Sequence, residues 1–175
     1  MRKPTLKQAR QLVKLARAVI ENGVLVETSF KEDAGVFVTL EKKGELRGCV
    51  GIIQSSNVND LIIRTARSAA FEDSRFPPVQ ETEFGEIIVE ISLLSKPVKC
   101  DLSIINCGDG VILKQGLNHA LFLPQVWKQL PDKNDFLNQL ALKAGLTSYE
   151  HAVFEKFSVI SFKEEKPYGD VFFES

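Results

Sequence analysis

Apolar residues recur along this chain with two periods, one helical and one of strands, and the switches between them mark the elements. Leu6, Ala9, Val13, Ala16, Val19 and Ile20 keep helical spacing and predict a core-facing stripe. Thr5 followed by Gln8 has the form of a capping box, and Asn22-Gly23 supplies a stop. On the other side Lys3, Lys7, Arg10, Lys14 and Arg17 form a basic stripe expected to face solvent. Glu21 is the only acid close by, and like charges at this spacing cost about 0.2–0.5 kcal/mol per pair. Acids from elsewhere in the fold, or an anionic partner, must offset them.

Gly35 to Glu41 then alternates as a strand, with Val36, Val38 and Leu40 on one face. Lys42-Lys43-Gly44-Glu45 reads as a hairpin turn, and Leu46 to Ile53 as the returning strand. A helix starts near Asn57, burying Leu61, Ile62, Ala66, Ala69 and Ala70. It ends at Phe71 to Pro78, where two prolines impose an extended exit. Ile87 to Leu94 is a strand stopped by Ser95-Lys96-Pro97. A second hairpin follows, Val111 to Lys114 and Ala120 to Leu123, and Pro124 stops it. Asp132 caps a helix that buries Phe136, Leu137, Leu140 and Ala144 and stops at Gly145. Val153 to Phe162 and Val171 to Phe173 read as the last strands. The expectation is a two-lobed α+β domain over 1–175, mainly antiparallel sheet flanked by helices. Its larger lobe is about 1–97 with 147–175, and its smaller lobe about 98–146.

Composition narrows the function classes. Lys plus Arg total 22 against 23 acids in 175 residues, so no global basic footprint for nucleic acid exists. No apolar run reaches the length of a membrane span, and no apolar signal core follows Met1. A cytoplasmic protein is expected, or a nuclear one in a eukaryotic cell. Cys49, Cys100 and Cys107 cannot all pair within one chain, and no Cys/His spacing matches a structural zinc site. Phosphate-loop, dinucleotide and nucleophile-elbow motifs are absent. No cofactor is indicated.

The candidate chemistry centres on Leu46-Arg47-Gly48-Cys49-Val50-Gly51. Glycines inside a strand suggest a bulge or a close backbone approach. In a regular strand Arg47, Cys49 and Gly51 share one face, so Gly51 would leave space beside the thiol and Arg47 would favour the thiolate. Free cysteine is equally often a small buried hydrophobe. Asp73 and Arg75, from the proline-stiffened exit, are the second candidate pair. Arg47 and Arg75 are expected to meet across a concavity floored by Cys49, with Asp73 or Asp109 between them. His119, at the rim of the second hairpin's turn, and His151, in a polar connection, are the only histidines.

Leu46 to Gly51, Asp73 to Pro78, Ile91 to Pro97, Asp109 to Leu113, Ala120 to Trp127 and Lys143 to Leu146 occur in this order. Together they resemble the AMME chromosomal region (AMMECR) domain family. The resemblance implies a two-lobed α+β fold and makes Arg47, Gly48, Cys49, Gly51, Asp73, Arg75, Asp109 and Gln125 motif positions. It also implies association with a Memo-like protein and a radical S-adenosylmethionine protein. Two readings follow. One is a binding or accessory component whose Arg/Cys-lined cleft takes an anionic ligand or partner. The alternative is a cysteine-dependent enzyme, with Cys49 as nucleophile, in a protein- or nucleic-acid-modification pathway.

Overall fold

Thr5 accepts a hydrogen bond from the Gln8 backbone N–H while the Gln8 side chain accepts from Thr5, and this box starts helix α1 at Leu6–Glu21. The computed structural model describes residues 1–23 and 26–174. Strands β1 (Asp33–Lys42) and β2 (Glu45–Asn57) form the first hairpin, followed by α2 (Val58–Phe71) and β3 (Ile87–Leu94). Next come β4 (Val98–Cys100), β5 (Gly110–Gln115), β6 (Asn118–Phe122) and α3 (Lys133–Lys143). The chain closes with β7 (Val153–Phe157), β8 (Val159–Glu164) and β9 (Val171–Phe173). Two compact units result, Met1–Leu94 with Ile160–Ser175, and Ser95–Val159.

The first unit holds a sheet of order β2-β1-β3-β8-β9. Strands β1 and β3 are antiparallel, with Val36, Val38 and Leu40 opposite Leu93, Ile91 and Val89. These residues bury one face against Leu12, Val13 and Ala16 of α1 and Leu61, Ile62 and Ala66 of α2. The buried stripe of α1 differs from the expected one: Leu6 stays 41% exposed, while Leu12 and Leu15 are buried.

Arg17 also departs from expectation, because it does not face solvent. The residue is 7% exposed, and its guanidinium lies between α1 and the sheet. Glu164 of β8 accepts from Arg17 Nε at 2.6 Å and from Nη2 at 2.7 Å. Glu21 and the Ile87 carbonyl take further Arg17 protons, and the Tyr168 ring lies 4.0 Å away. Glu164 also accepts the Val89 N–H at 3.0 Å. An acid distant in sequence thus offsets the stripe's last cation. Asp170 does the same for Arg10 at 2.9 Å, and Lys3 sits over the Phe173 ring. Lys7 and Lys14 stay exposed, as expected of a solvated face.

The second unit holds a sheet of order β4-β7-β5-β6, with α3 supplying Phe136, Leu137 and Leu140 to its core. Trp127 stacks on Phe136 at 3.8 Å and donates Nε1–H to the Asp109 carbonyl at 2.8 Å. The segment expected as one strand, Val153 to Phe162, is two strands in different sheets. β7 pairs with β4 and β5, so it belongs to the smaller unit, and the return to the larger sheet comes at β8 rather than near residue 147. The break falls at Ser158, whose N–H donates to Ser95 Oγ at 3.0 Å and whose carbonyl accepts the Ser95 N–H at 2.9 Å. Those bonds replace the ladder where the chain changes sheets.

Removing one partner of a buried ion pair leaves the other charge uncompensated. Glu164→Gln is therefore expected to lower stability by about 3–5 kcal/mol in urea unfolding. Arg10→Ala, whose partner Asp170 is exposed, should cost less than about 1 kcal/mol.

Candidate functional site

The hairpin carrying the motif is irregular where the motif begins. Leu40 pairs with Gly48, but Glu41 pairs with Leu46, so Arg47 is an extra residue on β2. This separates Arg47 from the alternation that the sequence suggested. Gly48 turns to the helical face, where an added Cβ would lie 2.1 Å from the Ala69 carbonyl oxygen. Helix α2 therefore rests directly on the β2 backbone. Gly51 does not leave space beside the thiol: the Phe37 ring occupies it, 2.2 Å from where a Cβ would sit.

Because α2 is seated so closely, the turn after it lands on Cys49. Asp73 Oδ2 accepts the Cys49 backbone N–H at 2.9 Å. Arg75 donates Nε–H to Asp73 Oδ1 at 2.9 Å and Nη2–H to Oδ2 at 2.7 Å. Nη2 also donates to the Cys49 carbonyl at 3.1 Å, and the Arg75 N–H donates to Asp73 Oδ1 at 3.2 Å. Asp73 and Arg75 thus clasp both backbone polar groups of Cys49, a bond count normally supplied by another strand. The turn is closed by Phe76 N–H to the Asp73 carbonyl and Val79 N–H to the Ala70 carbonyl. The Arg75 side chain, followed by the Cys49 and Arg75 N–H groups, holds the Asp73 carboxyl far below its usual range despite burial. The Asp73 side chain is 7% exposed and that of Arg75 55%.

Arg47 has a different carboxylate. Its Nε and Nη2 donate to Glu83 Oε1 and Oε2, each at 3.0 Å, and Lys42 joins Glu83 at 2.9 Å. The Arg47 fork, then the Gln80 N–H and Lys42, lower the Glu83 carboxyl to about 2 against the effect of burial. Arg47 Nη1 is buried without a hydrogen-bond partner among the described residues. The expected meeting of Arg47 and Arg75 over a shared anion is thus replaced by two separate fork pairs, Arg47–Glu83 and Arg75–Asp73.

Asp109 and Gln125 lie in the second unit. Asp109 accepts the Asn106 N–H at 2.9 Å and pairs with Lys156 at 3.1 Å, a turn-closing role. Gln125 is exposed on the 3₁₀ turn Pro124–Lys128, and His119 and His151 are exposed in the same unit. That unit also has an open groove of about 720 Å³ lined by Lys99 to Ile104, by Tyr149 and Glu150, and by Ala152 to Phe154. It contains none of the motif residues. Among the described residues no three His, Cys, Asp or Glu side chains converge to hold a metal ion, and no helix is long and apolar enough to cross a membrane.

Sequence reasoning missed Thr39 and Glu90. Cys49 is the cross-strand partner of Thr39, and Thr39 that of Glu90, so the three stand in one row on the sheet face away from the helices. The Thr39 hydroxyl donates to Cys49 Sγ at 3.3 Å. Glu90 is 9% exposed and enters no ion pair among the described residues. Burial, reinforced by Glu174 and Glu41 and opposed by Lys163, raises its carboxyl to about 7. The only signal in the sequence was a glutamate inside a strand whose other residues, Ser92 apart, are apolar.

A family model described as AMMECR1 matches residues 7–166. The chain belongs to the AMMECR1 family. Similar relatives include protein Mbar_A1807 of Methanosarcina barkeri, 38% identical with 94% of each chain covered. Protein MJ0810 of Methanocaldococcus jannaschii is 36% identical, covering 98% of this chain and 97% of its own. The crystal structure of the uncharacterized protein PH0010 from Pyrococcus horikoshii superposes with a TM-score of 0.83 at 32% identity, over 98% of both chains. This AMMECR1 chain therefore shares both its sequence and its mixed helix and antiparallel-sheet fold with archaeal relatives.

Two outcomes follow for the AMMECR1 site. Gly48→Ala forces the β2 backbone away from Ala69 and should destabilise by about 1–3 kcal/mol, measured by urea unfolding. Glu90 keeps a proton in the folded state that an unfolded glutamate loses near pH 4.5, so stability falls as pH rises from there through about 7. Glu90→Gln should therefore raise the melting temperature at pH 8 and change it little at pH 4. The gain at pH 8 is expected not to exceed about 3 kcal/mol.

Proposed function

We propose that this AMMECR1-family protein is a binding or accessory component that receives an acidic or phosphorylated group of a partner at Arg75. The observation that carries this reading is the Arg75 clasp. Its Nε and Nη2 are fixed by Asp73 and the Cys49 carbonyl, yet more than half of the side chain is exposed. Nη1 makes no hydrogen bond among the described residues, so a rigidly held guanidinium edge faces solvent. A preorganised arginine loses little freedom on binding. Asp73 cancels most of its long-range field, so recognition rests on short hydrogen bonds rather than on charge steering. Phe76 lies 5.4 Å from the guanidinium, and Phe71, Pro77 and Pro78 on the same segment are exposed. Arginine and aromatic anchors beside an apolar rim suit a protein partner. The family resemblance makes a Memo-like protein and a radical S-adenosylmethionine protein the partners to test.

The alternative, a cysteine-dependent enzyme, is favoured by one observation, the row of Cys49, Thr39 and Glu90.

Titrating inorganic phosphate into the protein, followed by amide chemical shifts, should move Cys49 and residues 73–76. Arg75→Ala should abolish these shifts, and Arg75→Lys, which keeps the charge and loses the fork, should weaken binding about tenfold. Shifts that survive Arg75→Ala, or their absence in the unsubstituted protein, would overturn the reading.

A further inference from the structure

The sheet of the first unit has an apolar face covered by α1 and α2 and a second face that mixes polar residues with Phe37, Ile88 and Leu94. On that second face a thiol, a hydroxyl and a carboxyl occupy directly opposed positions of three adjacent strands, β2, β1 and β3. Opposed side chains in an antiparallel pair have Cβ atoms about 4.5–5.5 Å apart, so Thr39 stands within reach of both neighbours. Its contact with Cys49 Sγ is made at 3.3 Å. On the other side, Glu90 is nine-tenths buried, and its hydrogen bond is a long one, 3.4 Å from the Ser92 hydroxyl. Lys163, the cation near Glu90, is engaged by Glu41 at 3.4 Å and Glu174 at 3.1 Å. Thr39 is thus the cross-strand neighbour of Glu90, whose carboxyl enters no ion pair among the described residues.

We propose that Cys49, Thr39 and Glu90 form a nucleophile and proton-donor set, in which Cys49 attacks the carbonyl carbon of an ester-type acyl donor and Glu90 protonates the leaving oxygen through Thr39. The inference deepens the enzyme reading and does not depend on anion binding at Arg75. In the step, Cys49 gives up its proton to solvent and its sulfur forms an S–C bond while the bond from that carbon to the leaving oxygen breaks. The leaving oxygen takes the Thr39 hydroxyl proton as Thr39 takes the proton of Glu90. The products are a Cys49 thioester, an alcohol and the Glu90 carboxylate.

A carboxyl serves as a proton donor near neutral pH only where its surroundings keep it protonated there. Burial does this for Glu90, with Glu174 and Glu41 repelling its charge, Lys163 attracting it and the Ser92 hydroxyl partly stabilising it. Around Cys49 the charged groups are Asp73, on its N–H, and Arg75, on its carbonyl. Both are tied to backbone atoms and to each other, which leaves the hydroxyl of Thr39 as the group in contact with sulfur.

The test separates a proton donor from a merely structural neighbour by the leaving group. p-Nitrophenolate departs without a proton, whereas phenolate, a far stronger base, benefits from one. Acetylation of Cys49 in the folded protein is followed by peptide mass spectrometry with p-nitrophenyl acetate and with phenyl acetate. The exposed Cys107 serves as an internal reference. Glu90→Gln and Thr39→Val should slow Cys49 acetylation by phenyl acetate about tenfold or more, and change that by p-nitrophenyl acetate less than about twofold. Thr39→Ser, which restores the hydroxyl, should recover the phenyl acetate rate. Equal effects on both esters, no effect on either, or a folded protein whose Cys49 stays unacetylated would each overturn the proposal. Should Glu90→Gln not fold, Thr39→Val gives the same comparison. Phosphate titration of the same variants reports on Arg75 independently, so the two readings fail separately.

Discussion

The site depends on how close α2 comes to β2. At Gly48 the helix backbone occupies the space of a missing side chain, with the Ala69 carbonyl where a Cβ would be. Any side chain at residue 48 would lift the last turns of α2 from the sheet. Ala69 and Ala70 are small for the same reason, and both are buried. The seating fixes where the chain leaves α2, and so places Asp73 over the Cys49 N–H. Ala70, one residue from the contact, also accepts the Val79 N–H, which closes the loop holding Asp73 and Arg75. Backbone proximity is thus converted into side-chain position within a few residues.

Electrostatics then divides the charged residues of the first unit into two groups. Arg17–Glu164 is buried, links α1 to β8 and reaches the β3 backbone, so it fixes the helix on the sheet. Arg47–Glu83 and Arg75–Asp73 are partly buried fork pairs that hold turns against β2. In each case a carboxylate accepts from a backbone N–H as well as from an arginine. Glu90 breaks this pattern. It is as buried as the others and has no arginine, and its carboxyl accordingly shifts upward where Asp73 and Glu83 shift downward.

The elements were largely legible because each rests on a local pattern. Thr5 and Gln8 mark the start of α1, Asn57 and Asp132 cap α2 and α3, and the Lys43-Gly44 turn carries positive φ at both residues. The single long strand expected over Val153 to Phe162 failed for a reason visible in hindsight. Phe154 and Phe157 are both buried three residues apart, so no single period-two phase covers the segment. The stripe of α1 was misplaced by one face at Leu6 because helical spacing alone does not say where the sheet ends.

The sequence by itself determined the elements, the hairpin that bears Cys49 and the residues that mark the family, because capping, turn chemistry and hydrophobic period act over a few positions. It also marked Cys49, Asp73 and Arg75 as candidates, because a stiff proline exit and a glycine-bearing strand are both local features, but it grouped Arg47 with Arg75 and left Asp109 as an alternative to Asp73. Only the tertiary structure decided the partners. Glu164 lies 147 residues from Arg17, Glu83 lies 36 from Arg47, and Glu90 meets Thr39 only when β3 pairs with β1. Which charge ends beside which cation is set by strand register and helix seating, and a charged residue's own sequence neighbourhood carries no record of either.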